Sequence, residues 1–204
     1  MNYADLQTAM IDWINHDDAS TVAAAPLAIS MFESEFIREN ELARMEGRAY
    51  HIIRDPTNGI PLPGDFITLR TLAQDGNPAS SLIQVSPSNL VDLWSNSRAG
   101  PSVNYAVSGE SLLIAPLPAS GSRIDLTYYA FTRLGSADTN WLLDEYPDAY
   151  LYGSLKHLAI YLKDKEAASV YQIGYERAVA GLAKQDRRAR FGGTLQIVSD
   201  VSKI

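Results

Sequence analysis

NWLLDEYPDAYLYGSLKHLAIYLKD, residues 140–164, is the stretch around which the rest of the chain is organised. Leu151, Leu155, Leu158 and Leu162 recur at i, i+4, i+7 and i+11, which puts four leucines on one helical face. Pro147 suits a first helical turn, where its missing N–H breaks no internal bond. Asp144, Glu145 and Asp148 favour the positive start of that helix. Each leucine contributes about 1.5–3 kcal/mol when fully buried, so this face has to meet other apolar surface. Tyr146, Tyr150, Tyr152 and Tyr161 crowd the same segment. Their number predicts a helix covered on more than one side.

Outward from this segment, the chain has 204 residues, 46% of them apolar, enough for one large domain or two small ones. No apolar run reaches the roughly 18 residues that a membrane span needs. MNYADLQTAMIDW lacks the basic and apolar regions of a secretory signal. Without a single cysteine, the chain has neither disulfides nor thiolate metal sites. A net charge of −7 argues against a protein that grips nucleic acid by its phosphates. The one basic cluster is Lys184, Arg187, Arg188 and Arg190, at the end of the last expected helix.

Leu6, Met10, Trp13 and Ile14 predict a short amphipathic helix over about Tyr3–Ile14, and Pro26 to about Asn40 a second, with Ile29, Phe32, Phe36 and Ile37 inward. Ala19–Ala25 between them is small and featureless. From Leu42 the texture turns to β. A strand or pair of strands is expected up to Ile53, then dense turn chemistry around Pro56–Gly59 and Pro61–Asp65, then strands at Phe66–Ala73 and Ser81–Val85. Ser86-Pro87 opens a short helix with Leu90 and Leu93. Val103–Val107 and Ser111–Ala115 flank Ser108-Gly109-Glu110 as a hairpin. Arg123–Phe131, RIDLTYYAF, is the clearest strand. Its adjacent Tyr128 and Tyr129 must face opposite sides, one toward a core and the other toward an interface or second layer. A last helix, about Glu166–Arg188, is expected to pack through Val170, Ile173, Gly174, Ala178 and Leu182.

The expected fold class is α+β. A bundle from the N- and C-terminal helices (1–41 and 140–190) receives a β-rich insertion (42–139), and 191–204 forms an extended arm. A serial α+β arrangement competes, but helices at both ends need apolar partners, which favours the inserted one.

Catalytic patterns are missing from the sequence. His16, His51 and His157 fall in three separate segments, and His16-Asp17-Asp18 reads as a helix stop rather than a metal site. His157 reads as packed or interfacial. Asp144 and Glu145 are neighbours, whereas a glycosidase acid and base oppose one another across a sugar. Gly-x-Ser-x-Gly, the P-loop and GxGxxG do not occur. No cofactor or metal is expected. The aromatic surplus points to contact instead, because tyrosine buries a large area with few rotatable bonds. Tyr146, Tyr150, Tyr152, Tyr161, Tyr171 and Tyr175 are therefore candidate subunit-interface residues.

Leu62-Pro63-Gly64-Asp65-Phe66, Tyr105-Ala106-Val107 with Gly109 and Leu112–Pro116, Leu126-Thr127-Tyr128-Tyr129, and Asn140–Leu143 with Pro147-Asp148 and Tyr150–Leu155 come in that order. In order and spacing they resemble the head-to-tail adaptor family of tailed bacteriophages over about residues 62–190, and more weakly at the N-terminal helices. The resemblance implies a homo-oligomeric ring, commonly a dodecamer, beneath the portal protein at the head–tail junction of a virion made in the bacterial cytoplasm. Such a ring continues the DNA channel, letting DNA pass without specific binding, and offers a platform to tail nozzle or tail fibre proteins. It implies an arm that docks on the portal, here Phe191, Leu195, Ile197, Val198, Val201 and Ile204, beside Lys184, Arg187, Arg188 and Arg190. Other readings are a head-completion or tail-tube protein, a carbohydrate- or protein-binding module, and a cell-wall hydrolase using Asp144 or Glu145.

Overall fold

The structure, a computed structural model, describes residues 1–54, 59–75, 81–96, 102–116 and 118–191. It is α+β, with helices at both chain ends and a central β region. The described chain divides into two compact units. Met1–Arg44 and the chain from Arg133 onward form a helical unit, and Met45–Thr132 form a β unit. The β unit starts at Met45 rather than Leu42 and ends at Thr132 rather than Thr139. Residues 133–140 belong with the helices because the Leu134 amide donates to the buried Glu33 carboxylate at 2.7 Å and the Tyr3 amide to the Asp138 carbonyl at 2.8 Å.

In the helical unit, α1 spans Tyr3–Ile14, capped by a reciprocal Asn2–Asp5 pair. α2 spans Ala19–Glu39, so it begins a full two turns before Pro26. The expectation of a featureless Ala19–Ala25 fails because Asp18 caps this start. Its carboxylate accepts from the Thr21 amide at 3.1 Å and the Thr21 hydroxyl at 2.6 Å, and the alanines that follow are the best helix formers. Pro26 lies within α2 on an exposed side, where water can serve the carbonyl left without its amide partner. The 140–164 segment is two helices, α4 (Trp141–Glu145) and α5 (Pro147–Tyr161), with Pro147 at the first turn of the second. Lys163, at φ +61°, turns the chain into α6 (Lys165–Phe191).

α5 is the centre of this unit, packed against α1, α2, α4 and α6. Leu155 and Leu158 are fully buried, while Leu151 and Leu162 at the ends of the stripe are half-buried. Gly153 lets α2 come close: a Cβ there would stand 2.2 Å from the ring of fully buried Phe32. Gly174 does the same for α6 against the Tyr152 ring, at 2.9 Å. The expected inner face of α6 is wrong at two positions. Val170 and Ile173 are exposed, and Tyr175 and Leu182 are the buried anchors. The heptad-like spacing of small and branched residues gave no weight to Tyr175, whose ring meets Phe32 edge-on at 5.8 Å.

One buried polar chain ties three helices together. The Tyr150 hydroxyl donates to Glu33 at 2.6 Å and accepts from the Asn140 amide at 2.9 Å, while the Asn140 carbonyl oxygen caps α4 at the Leu143 amide, 2.9 Å away. Burial pushes the Glu33 carboxyl up and the Tyr150 phenol well above its usual range.

In the β unit, β1 (Glu46–Ile52), β7 (Arg123–Ala130) and β3 (Phe66–Gln74) form an antiparallel sheet in the order β1-β7-β3. The second sheet runs β2 (Ile60–Pro61), β6 (Ser111–Ala115), β5 (Asn104–Ser108) and β4 (Ile83–Gln84), with β4 parallel to β5. Ile53, Leu72, Tyr105, Leu112, Ile124 and Leu126 belong to the shared core. α3 (Pro87–Asn96) covers Ala106 and Ala115 with Leu90. β4 is shorter than the expected Ser81–Val85 strand. The hairpin turns at Gly109, φ +59°. Tyr128 and Tyr129 are both buried.

Gly153→Ala is expected to destabilise the protein, because overpacking costs about 1–3 kcal/mol against about 1 kcal/mol gained in helix propensity. Tyr150→Phe, which strips the buried Glu33 of a donor, should cost about 1–3 kcal/mol. Denaturant unfolding checks both; changes under about 0.5 kcal/mol would contradict the close approach and the network.

Candidate docking surfaces

The end of α6 is built against the bend that follows α2. Asp186 accepts from the Ala43 amide at 2.5 Å and from the Arg190 guanidinium at 2.9 Å, and Arg190 also donates to the Glu41 carbonyl at 2.8 Å. Tyr146 donates to Gln185 at 2.6 Å, and Arg44 pairs with Glu145. These contacts frame a groove of about 420 Å³ floored by Leu42, Trp141, Tyr146, Leu182 and Ala189. Lys184, Arg187 and Arg188 are exposed beside it, at a helix end where positive charge is favoured. Of the four predicted cations, Arg190 is committed to the subunit itself. Phe191 closes α6, and Leu195, Ile197, Val198, Val201 and Ile204 lie outside the described residues.

The six candidate tyrosines separate. Tyr150 and Tyr175 are buried in the helical unit and present no ring at its surface. Tyr146 lines the groove. Tyr152 meets Trp13 edge-on at 5.7 Å, and the Tyr171 hydroxyl reaches the Trp13 carbonyl at 3.5 Å, both half-buried. Tyr161, at the end of α5, is exposed. A count of tyrosines does not separate those that fill the core from those at the surface.

Among the histidines, His157 is the one placed in a built environment. Its Nε2 lies 2.7 Å from Glu35, which also accepts from the buried Lys156 ammonium at 2.5 Å. Lys156 in turn sits 4.0 Å over the Tyr175 ring, a cation–π contact. Burial alone would raise Glu35, but Lys156 and His157 outweigh it and hold the carboxyl below its usual range. Burial pushes the His157 imidazole down. The cluster joins α2, α5 and α6, so its chemistry is cohesion. His16 is exposed just after α1, and His51 is half-buried on β1. Asp144 accepts from the Thr139 hydroxyl at 2.6 Å while Glu145 serves Arg44, so the two carboxylates do not oppose one another. Among the described residues no group of three or more metal-ligating side chains converges, and no helix is long and apolar enough to cross a membrane.

Within each unit, segments quoted for the resemblance touch one another. Tyr128 donates to Asp65 at 3.1 Å and stacks on Phe66 at 5.8 Å, and Asn140 holds Tyr150. A helical unit built from both parts of the chain, with a groove and exposed cations at the end of α6, fits a structural adaptor. Residues 1–197 match the SU10 adaptor protein family, a phage head-to-tail adaptor family, and the chain belongs to it. No curated protein matches the chain. Membership makes it a phage adaptor protein, a structural component of the virion.

The depressed His157 contributes stability that is whole above its ordinary pKa near 6.5 and is lost as pH falls through the lower folded value. The raised Glu33 works in the opposite direction, gaining stability as it takes up a proton. Comparing wild type with His157→Gln isolates the histidine: the variant's stability should fall less between pH 7.5 and 5.5. Equal slopes in denaturant unfolding would remove His157 from the acid response.

Proposed function

We propose that this chain is the repeating subunit of a ring at the head–tail junction, seated beneath the portal and continuing the DNA channel toward the tail. The observation that carries the reading is the family membership over residues 1–197. The end of α6 supports a docking role, because it combines a groove, an unburied set of cations and a chain that continues for thirteen further residues, 192–204. Its cations suit an acidic partner surface, while the acidic balance of the whole chain keeps DNA from being held in passing. On this reading Lys184, Arg187 and Arg188 steer the encounter with the portal, and Phe191–Ile204 dock into it.

Mass measurement in solution, alone and with portal, tests the assembly. The expected result is a multiple of the subunit mass with portal; a lone subunit at every concentration in both samples refutes it. A chain ending at Arg190 should unfold at the same denaturant concentration as the full chain and bind portal at least tenfold more weakly. Undiminished binding would remove the arm from the docking surface.

A further inference from the structure

The polar rim of the groove at the end of α6 is satisfied largely from within the subunit. Arg44 pairs with Glu145, Tyr146 donates to Gln185, and Asp186 serves the Ala43 amide and Arg190. A charged ligand would have to break one of these contacts to find a partner. An apolar side chain would not. Leu42 and Leu182 on the floor are already buried, while Trp141 and Tyr146 are half-buried and Ala189 is exposed. The apolar surface still open to water is therefore that of Trp141, Tyr146 and Ala189, and an aliphatic side chain fits it.

The α6 wall of the groove is Leu182, Gln185, Asp186 and Ala189, one helical face at spacings of three and four. By the same spacing the next positions on that face are 192 and 193, and both are glycine. Glycine there opposes further helix and accepts the positive φ with which a chain reverses at a helix end. Leu195-Gln196-Ile197 follows, and in an extended chain its two aliphatic residues share one side, about 6.7 Å apart. One turn along the wall, from Ala189 back to Gln185, is about 6 Å. The two steps match. The chain from Phe191 to Leu195 spans up to about 13 Å, and Ala189 stands about 3 Å back along the α6 axis. That leaves the slack a reversal needs.

The tether selects the occupant. A segment joined to the groove by so few residues meets it at an effective concentration in the mM range. A separate chain, portal included, meets it at its own concentration. We propose that in the free subunit the groove seats the arm of the same chain, with Leu195 on Ala189 and Ile197 toward Leu182 and Trp141, and that portal draws the arm out of this seat. The seat stands apart from the docking reading above, and the drawing-out step rests on it. Contacts made by a chain end open locally, at free energies at the low end of the range. Removing the arm therefore empties the groove without moving the unfolding midpoint.

The absence of cysteine makes the test direct. Ala189→Cys with Leu195→Cys is oxidised mildly, dilute and without portal. The control is Arg187→Cys with Leu195→Cys, because exposed Arg187 lies nearly opposite Ala189 around α6 at 100° per residue. In denaturant the two pairs close loops of nearly equal length and should react at similar rates. Folded, the groove pair should close at least tenfold faster than the control, as a monomer with an internal disulfide, since bonding requires Cα atoms about 4.4–6.8 Å apart. Gln185→Cys with Ile197→Cys should behave alike against Lys184→Cys with Ile197→Cys, which guards against damage at one site. Equal rates for both folded pairs and their controls would overturn the seat and leave the portal reading standing. Covalent dimer formed as fast by mixing the Ala189→Cys and Leu195→Cys single variants would overturn it in favour of an arm exchanged between copies. Portal then tests the second step: the disulfide form should bind at least tenfold more weakly than the same protein reduced. Equal binding would remove the drawing-out step. Wild type that ignores portal, with the internal disulfide still forming tenfold faster than the control, would sink the docking reading and the drawing-out step and keep the seat.

Discussion

A carboxylate that cannot reach water, Glu33, is held by the Tyr150 hydroxyl and the Leu134 amide, and this contact is the one on which the helical unit depends. An unpaired buried acid would either be costly or draw in a proton. Its partners come from α5 and from the segment leading into α4, while Glu33 itself sits on α2. The same atoms therefore join the two ends of the chain. Asn140 extends the network by capping α4 and positioning Tyr150 at once. Around this polar seam the packing is dry and close, with Phe32 against the Cβ-free edge of α5 at Gly153. Polar specificity and steric closeness act at the same crossing of α2 and α5, so register along the helices is set twice.

Much of this architecture is legible in the sequence. The i, i+4, i+7 leucines mark α5, Pro147 marks its start, and the alternation of RIDLTYYA marks β7. What escaped has physical causes. The start of α2 was hidden because proline is read as a helix beginning, whereas a cap at Asp18 outweighs one lost amide further along. The inner face of α6 was misjudged at Val170 and Ile173 because the ring of Tyr175 does the packing that those branched residues were expected to do, while Gly174 packs as expected. Tyrosines were equally ambiguous: the same residue type serves as a buried hydrogen-bond donor at Tyr150 and as an exposed ring at Tyr161. The groove between α6 and the bend after α2 has no local signal, since its walls come from residues more than a hundred positions apart.

For an adaptor, the separation of tasks is informative. Cohesion lies inside, in the Glu33–Tyr150–Asn140 seam and in the Glu35–Lys156–His157 cluster. On the outside, charge is absent from α2 between Ala19 and Phe32 and concentrated at the end of α6. Arg190 of the basic cluster joins with Asp186 in fastening the end of α6 to the bend after α2, so the exposed Lys184, Arg187 and Arg188 project from a firm base.

The discontinuity of the helical unit also has a consequence for the order in which a nascent chain can settle. The β unit is contiguous and has what it needs to fold once Thr132 has left the ribosome. α1 and α2 have no such freedom, because their buried faces wait for α5, about 110 residues later. At about 5–20 residues per second that is an interval of roughly 5–20 s. During it Phe32, Phe36 and Ile29 lack their native cover, and Glu33 remains solvated. Biogenesis of this adaptor thus implies a stage in which a finished β unit trails an unfinished pair of helices.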